Sequence, residues 1–161
     1  MKLLLAKLWK FFHFPKRVQL IIMRLFQDAF LVGVTGIIFN EKNEILVFKH
    51  VYRAHAWSLP GGYIKSGEHP QEALEREIFE ESGLVVSADA LLKTRTDRSS
   101  ARLDFCFTGA FIGGEFKPSH EVVEFGFFAQ EDLPYLRKNQ IFLINDALKQ
   151  KSGKKPGCSV G

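Results

Sequence analysis

Between Leu31 and Gly83 the chain changes its repeat, and that change limits its possible folds more than any other feature. "LVGVTGIIF" and "EILVFKH" are short runs rich in β-branched and aromatic residues, joined by "NEKN". This pattern predicts a β-hairpin. A glycine-rich loop, "LPGGYIKSGE", follows, and "HPQEALEREIFEESG" then reads as a helix. Pro70 suits its first turn, Glu72 its electropositive end and Gly83 its C-terminal stop. Further strand candidates lie around 84–95, 103–112 and 122–128, and "EDLPYLRKNQIFLINDALKQ" reads as a closing helix. Strands flanking one central helix, with another at the end, predict an α/β domain: a mixed sheet covered by helices.

Glu77, Glu80 and Glu81 sit three and four residues apart, so on a helix they share one patch of surface. Their mutual repulsion costs roughly 0.2–0.5 kcal/mol per pair, which a solvated helix face tolerates. Ala73 falls in the same sector and leaves room above it, while Leu74 and Ile78 in the adjoining sector can anchor the helix on the sheet. Glu72 and Glu80, each four residues from Arg76, offer that cation carboxylates. Clustered oxygens without His or Cys suit magnesium or manganese better than zinc. Gly61 and Gly62 let the backbone come close enough to add a carbonyl oxygen. Magnesium favours substrate phosphates, which makes a diphosphate the natural third party. By itself the glutamate patch reads more simply as an acidic, solvated helix face.

The wider spacing is more specific. Gly62, Glu68, Arg76, Glu77, Ile78, Glu80, Glu81, Gly83 and Leu84 match every specified position of the Nudix box, and the sequence resembles the Nudix hydrolase family over roughly residues 31–148. The resemblance implies a Nudix-type α/β/α sandwich. It also implies magnesium-dependent hydrolysis of the pyrophosphate bond in a nucleoside diphosphate linked to another moiety. Carried over residue by residue, Glu80 and Glu81 correspond to the main metal ligands and Glu77 to a further ligand or base. Arg76 corresponds to the residue that orients them, Gly61 to a backbone-carbonyl ligand, and Glu68 to a helix-supporting glutamate. The family's general base often lies outside the box. Glu124, with Glu121 beside it in "PSHEVVEFGFF", resembles the acidic loop before a late strand, and surface glutamates in an alternating strand remain the equal alternative. A catalytically silent nucleotide-sensing domain is the rival reading, but its usual sign, loss of the paired glutamates, is absent.

Substrate contacts are less legible. Lys49, Arg53, Lys65, Arg95 and Arg98 lie near strand or loop ends where they can meet phosphates, and solvated surface charge is the plainer role for each. Tyr52, Trp57 and Phe105 can stack on a base or pack in the core. His50, His55, His69 and His120 lack ligand spacing, so no metal is assigned to them. Ser100 stands near the position where many ADP-ribose hydrolases of the family carry a proline. The tyrosine of dinucleoside polyphosphate hydrolases and the coenzyme A hydrolase pattern are also missing.

Charge separates the chain into three parts. Residues 1–30 carry +5, residues 31–148 carry −5 and the tail from Lys149 carries +4. An acidic body argues against a DNA-binding face, whereas either end can meet an anionic surface. Residues 2–14 predict a basic amphipathic helix stopped by Pro15, and "RVQLIIMRLF" a second piece. Two readings stay open for this extension: packing on its own domain or a dimer partner, and attachment to a membrane surface. Family members are often dimers. Lys7 and Lys10 break the apolar run that a secretion signal needs. Arg24, Asp28 and two glycines interrupt the longest apolar stretch, Val18 to Phe39, which argues against a membrane span. Cys106 and Cys158 make no disulfide framework and suit a reducing cytoplasm. Sixteen phenylalanines are expected mostly in the core, and residues 149–161 as a disordered basic tail.

Overall fold

The structure, a computed structural model, describes residues 15–26, 30–51, 56–97 and 101–153. The chain divides into two compact units at Phe30. The first contains α1, Lys16–Phe26, the second piece expected of the N-terminal extension. The Pro15 carbonyl accepts the amides of Val18 and Gln19 to start this helix. The expected helix over 2–14 lies outside the described residues. Among the described residues no helix is long and apolar enough to cross a membrane.

The second unit is built around a seven-stranded mixed sheet. β1 (Leu31–Phe39) and β2 (Ile45–His50) are the expected hairpin arms. They pair only at Phe39 and Ile45, next to the turn. Beyond that point they part. β3 (Trp57–Ser58) pairs with β2, and β4 (Gly61–Tyr63) pairs with β1 across Gly33–Tyr63, Val34–Gly62 and Thr35–Gly61. On its other side β1 runs parallel to β6 (Arg102–Gly114), which pairs antiparallel with β5 (Leu84–Asp97). β7 (Val122–Phe128) pairs with β2.

Strand alternation divides the core into two layers, because successive side chains of β1 and β2 face opposite ways. Val34, Ile38, Leu46 and Phe48 pack with Leu74 and Ile78 of α2 (Pro70–Ser82). Ile37, Phe39, Ile45 and Val47 pack with Leu143, Ile144 and Ala147 of α3 (Lys138–Gly153). The α/β/α sandwich follows directly. Leu74 is fully buried, and a Cβ on Gly36 would lie 3.1 Å from its Cδ2. Leu74→Ala would leave a cavity between α2 and β1, and an expected loss of about 2–5 kcal/mol can be read from urea unfolding.

Three expectations change. The closing helix is interrupted: a 3-10 turn at Gln130–Asp132 precedes an extended Leu133 (φ −56°, ψ 133°), and α3 starts only at Lys138. Pro134 lacks an amide donor and keeps the preceding residue out of helical conformation. The same helix runs to Gly153, into the stretch expected to be tail. Phe48 and Phe107 are core residues as expected, but Phe79 and Phe142 project into solvent from α2 and α3.

Candidate active site

α2 begins where its sequence says it should. Pro70 opens it, the His69 amide donates to Glu72 Oε2 at 3.1 Å, and Gly83 closes it in the left-handed region at φ 73°. A Cβ at Gly83 would lie 2.5 Å from the Glu115 carbonyl oxygen, so glycine is needed there for two reasons. Leu74 and Ile78 hold one side of the helix to the sheet, and the glutamates occupy the neighbouring stripe.

Arg76 is the hub of this stripe. Its side chain is only 19% exposed and donates to Glu68 Oε1 at 2.5 Å and Oε2 at 3.0 Å, Glu77 Oε1 at 2.7 Å and Glu80 Oε2 at 2.9 Å. It also donates to the Tyr63 carbonyl at 3.0 Å. A rigid five-donor fork satisfies several carboxylates at once, which a lysine cannot do. Glu72 is not among its partners, contrary to expectation, because it is engaged at the helix start. Ala73 is fully buried in the core cluster with Leu74 and Ile78.

Glu77 lies against bare backbone. A Cβ on Gly62 would come within 2.3 Å of Glu77 Oε2, and one on Gly61 within 2.2 Å of the Val34 carbonyl oxygen. Glu80 is half exposed and also receives Lys65 Nζ at 3.2 Å. Glu81 is partly buried beside it. The Lys65 and Arg76 donors hold the Glu80 carboxyl below its ordinary value, and Glu68 falls from 4.5 to about 2, chiefly through Arg76 and then the Lys65 amide. In the opposite direction, Glu68 above all raises the Arg76 guanidinium. On acidification the unfolded chain therefore takes up the Glu68 proton first. Its contribution to stability is full above pH 4.5 and disappears as pH falls towards 2. The difference in urea midpoint between wild type and Glu68→Gln is expected to be constant near neutrality and to shrink over that acidic window.

The other candidates fall into separate groups. Glu124, on β7, accepts from Lys49 Nζ at 2.7 Å across the β2 pairing. Glu121 is exposed, its amide donating to Ser119 Oγ and its carbonyl accepting from Val51. The loop before it is tied to the end of α2, where the Lys117 amide donates to the Ser82 carbonyl. A cavity of about 480 Å³ opens there, lined by Glu80, Phe79, Lys117 and Ser119 among others. A larger one, about 610 Å³, lies between β5, β6 and the end of α3, with none of the box glutamates in its wall. The smaller one has Glu80 of the box in its wall. Arg95 is drawn to Asp104 instead of the glutamates. Trp57 packs edge-on to Phe128 and Phe105 is half-buried against the core, so their packing roles prevail. Arg53, Arg98, Tyr52 and His55 lie outside the described residues. Sequence reasoning missed Lys117, Tyr63, Arg102 and Asp104; an acid within the apolar run "RLDFCFTGAF" was the available signal, since a buried carboxylate demands a partner.

Comparison with known proteins agrees with this geometry. The NUDIX domain family model matches residues 29–146. An ADP-ribose pyrophosphatase of Methanocaldococcus jannaschii is 34% identical over 128 residues, 76% of this chain and 75% of that protein. The solved ADP-ribose pyrophosphatase of Streptococcus suis superposes with a TM-score of 0.64 at 27% identity, covering 80% of this chain and 95% of that one. A UDP-X diphosphatase reaches a TM-score of 0.67 over 93% of this chain and 79% of its own, and at 24% identity it speaks for the fold alone. A complete box on α2, an arginine gathering its carboxylates and a family match across most of the chain lead to one assignment: the protein belongs to the Nudix hydrolase family.

Proposed function

We propose that the protein hydrolyses the pyrophosphate bond of a nucleoside diphosphate linked to another moiety, with magnesium, or manganese in its place. The observation that carries this reading is Arg76 joined to Glu68, Glu77 and Glu80 beside the bare backbone of Gly62. Among the described residues no three acidic, His or Cys side chains converge as a finished metal cage. An all-oxygen set with room for further ligands still fits magnesium, which keeps several waters and takes few carboxylates when substrate phosphates complete its shell. Glu80 and Glu81, with Glu77 and the Gly61 carbonyl, are the residues to hold it. Once bound, the metal offsets diphosphate charge and makes a coordinated water more acidic.

The chain's own residues do the rest. Arg76 orients the carboxylates, and Lys65 and Lys117 supply positive charge next to Glu80. Glu124 is the proton acceptor we favour over Glu121; Lys49 Nζ, 2.7 Å away, holds its carboxylate in place. ADP-ribose is the first substrate to try, because relatives bear its name, although Ser100 stands near the proline position of many such enzymes. A panel of nucleotide sugars, ADP-ribose and nucleoside triphosphates, assayed with magnesium and again with a chelator, tests the reading. Metal-dependent release of nucleoside monophosphate supports it; no cleavage anywhere on the panel leaves the silent sensor domain.

A second reading concerns location. α1 presents Leu20, Ile21, Leu25 and Phe26 to solvent, and Lys16 and Arg17 lie at its start. This combination suits an anionic membrane surface. Flotation of the full chain with vesicles containing phosphatidylserine, but not with neutral vesicles, is expected, and Leu25→Glu/Phe26→Glu should abolish it. Equal flotation of both forms would reject the idea.

A further inference from the structure

On the other face of the β1–β4 pair lies a cluster that the Nudix box does not include. Gly33 pairs with Tyr63 on one side and Asp104 on the other, so these three residues share a face. Gly62 and Val34 face the opposite way, towards Glu77 and α2. Asp104 is 4% exposed and holds two arginines, Arg95 at 3.1 Å and Arg102 at 2.6 Å. Arg102 passes over Gly33, where a Cβ would lie 2.5 Å from its Nη2. Its guanidinium then covers the Tyr63 ring at 4.8 Å and donates to the Tyr63 hydroxyl at 3.2 Å.

One buried carboxylate needs one cation, and here it has two. Apart from Asp97, which stands opposite Arg102 on β5, neither arginine meets a second carboxylate among the described side chains. The cluster thus holds two partly open guanidinium groups on an acidic domain, 31% and 27% exposed. The Tyr63 ring is already covered by Arg102, so an oxyanion fits better than a stacked base. Tyr63 also links the cluster to the glutamates, because its carbonyl accepts from Arg76. β4 pairs with β1 alone, leaving an edge over which one ligand can reach both faces.

We propose that Arg95, Arg102 and Tyr63 form an anion subsite for a carboxylate or phosphate on the substrate's second moiety, outside the scissile diphosphate. This assignment rests on the pyrophosphohydrolase reading. The test compares UDP-glucose with UDP-glucuronate, which differ by one carboxylate, using the full chain and reading both KM and calorimetric Kd. Wild type should favour the uronate by about tenfold or more, the scale of one charge-assisted contact. In Arg102→Met that ratio, in KM and in Kd alike, should approach one. Because Arg102→Met leaves Asp104 with less compensation, Arg102→Met/Asp104→Asn is run beside it with melting curves. No preference in wild type, or the same preference in both variants, overturns the subsite. Absence of turnover on both nucleotides leaves the enzyme reading to the wider substrate panel, and the calorimetric ratio still decides the subsite.

Discussion

Glu81→Gln is expected to lower kcat about a thousandfold on whichever nucleotide proves to be the substrate, a magnitude within the range seen when a reacting carboxylate is removed. The substitution keeps shape and removes charge. Glu80 is half exposed and shares its charge with Lys65 and Arg76, whereas Glu81 is more shielded from solvent, where the field of a carboxylate is less screened. Loss of that charge weakens the oxygen set proposed for magnesium without disturbing Leu74 or Ile78 beneath it. Circular dichroism and melting should therefore match wild type. Glu75→Gln is the control: Glu75 lies on the same helix but accepts from the Ala88 amide at 2.8 Å, so kcat should stay within about twofold, as for surface substitutions away from a site. A Glu81→Gln enzyme as fast as wild type would remove Glu81 from the chemistry.

Gly62→Ala should cost about a hundredfold in kcat/KM, the usual penalty for moving a reacting group by an ångström or so. The new Cβ would lie 2.3 Å from Glu77 Oε2 and 2.5 Å from its Cγ. The end of that side chain can rotate away, so the fold survives while Glu77 leaves its contact with Arg76. The expected signature is lost activity with a change of less than about 1 kcal/mol in stability. Gly61→Ala differs in kind. Its Cβ meets the Val34 carbonyl oxygen at 2.2 Å, and backbone cannot rotate aside, so that variant should unfold more readily. If Gly62→Ala instead retained full activity, close packing of Glu77 on the loop would be irrelevant to catalysis.

Much of the domain could be read from residue order. The hairpin, α2 with its Pro70 start and Gly83 stop, and strands near 84–95, 103–112 and 122–128 all carry local signals: period, punctuation and turn chemistry. The two-layer core is also implicit in β1, whose apolar residues occupy both parities, as a strand covered on both faces requires. Local signals fail where elements meet. Pro134 carries a local signal for a break in the last helix, but the apolar pattern on either side of it is continuous with a helix.

Sequence by itself determined which residues ride together on α2, because neighbours three and four apart on a helix are fixed by its pitch. It could not determine which acid Arg76 would take. Glu72 and Glu68 were both within reach of a long side chain, but Glu72 is engaged by the His69 amide, while the turn at Gly67 (φ 87°) brings Glu68 back to the guanidinium. The crossing of Arg102 over Gly33 was equally hidden, since it joins β6 to β4 through a strand remote from both in sequence. Helical spacing is a property of the chain; competition among partners for one charged group is resolved only when strands and loops distant in sequence are brought together.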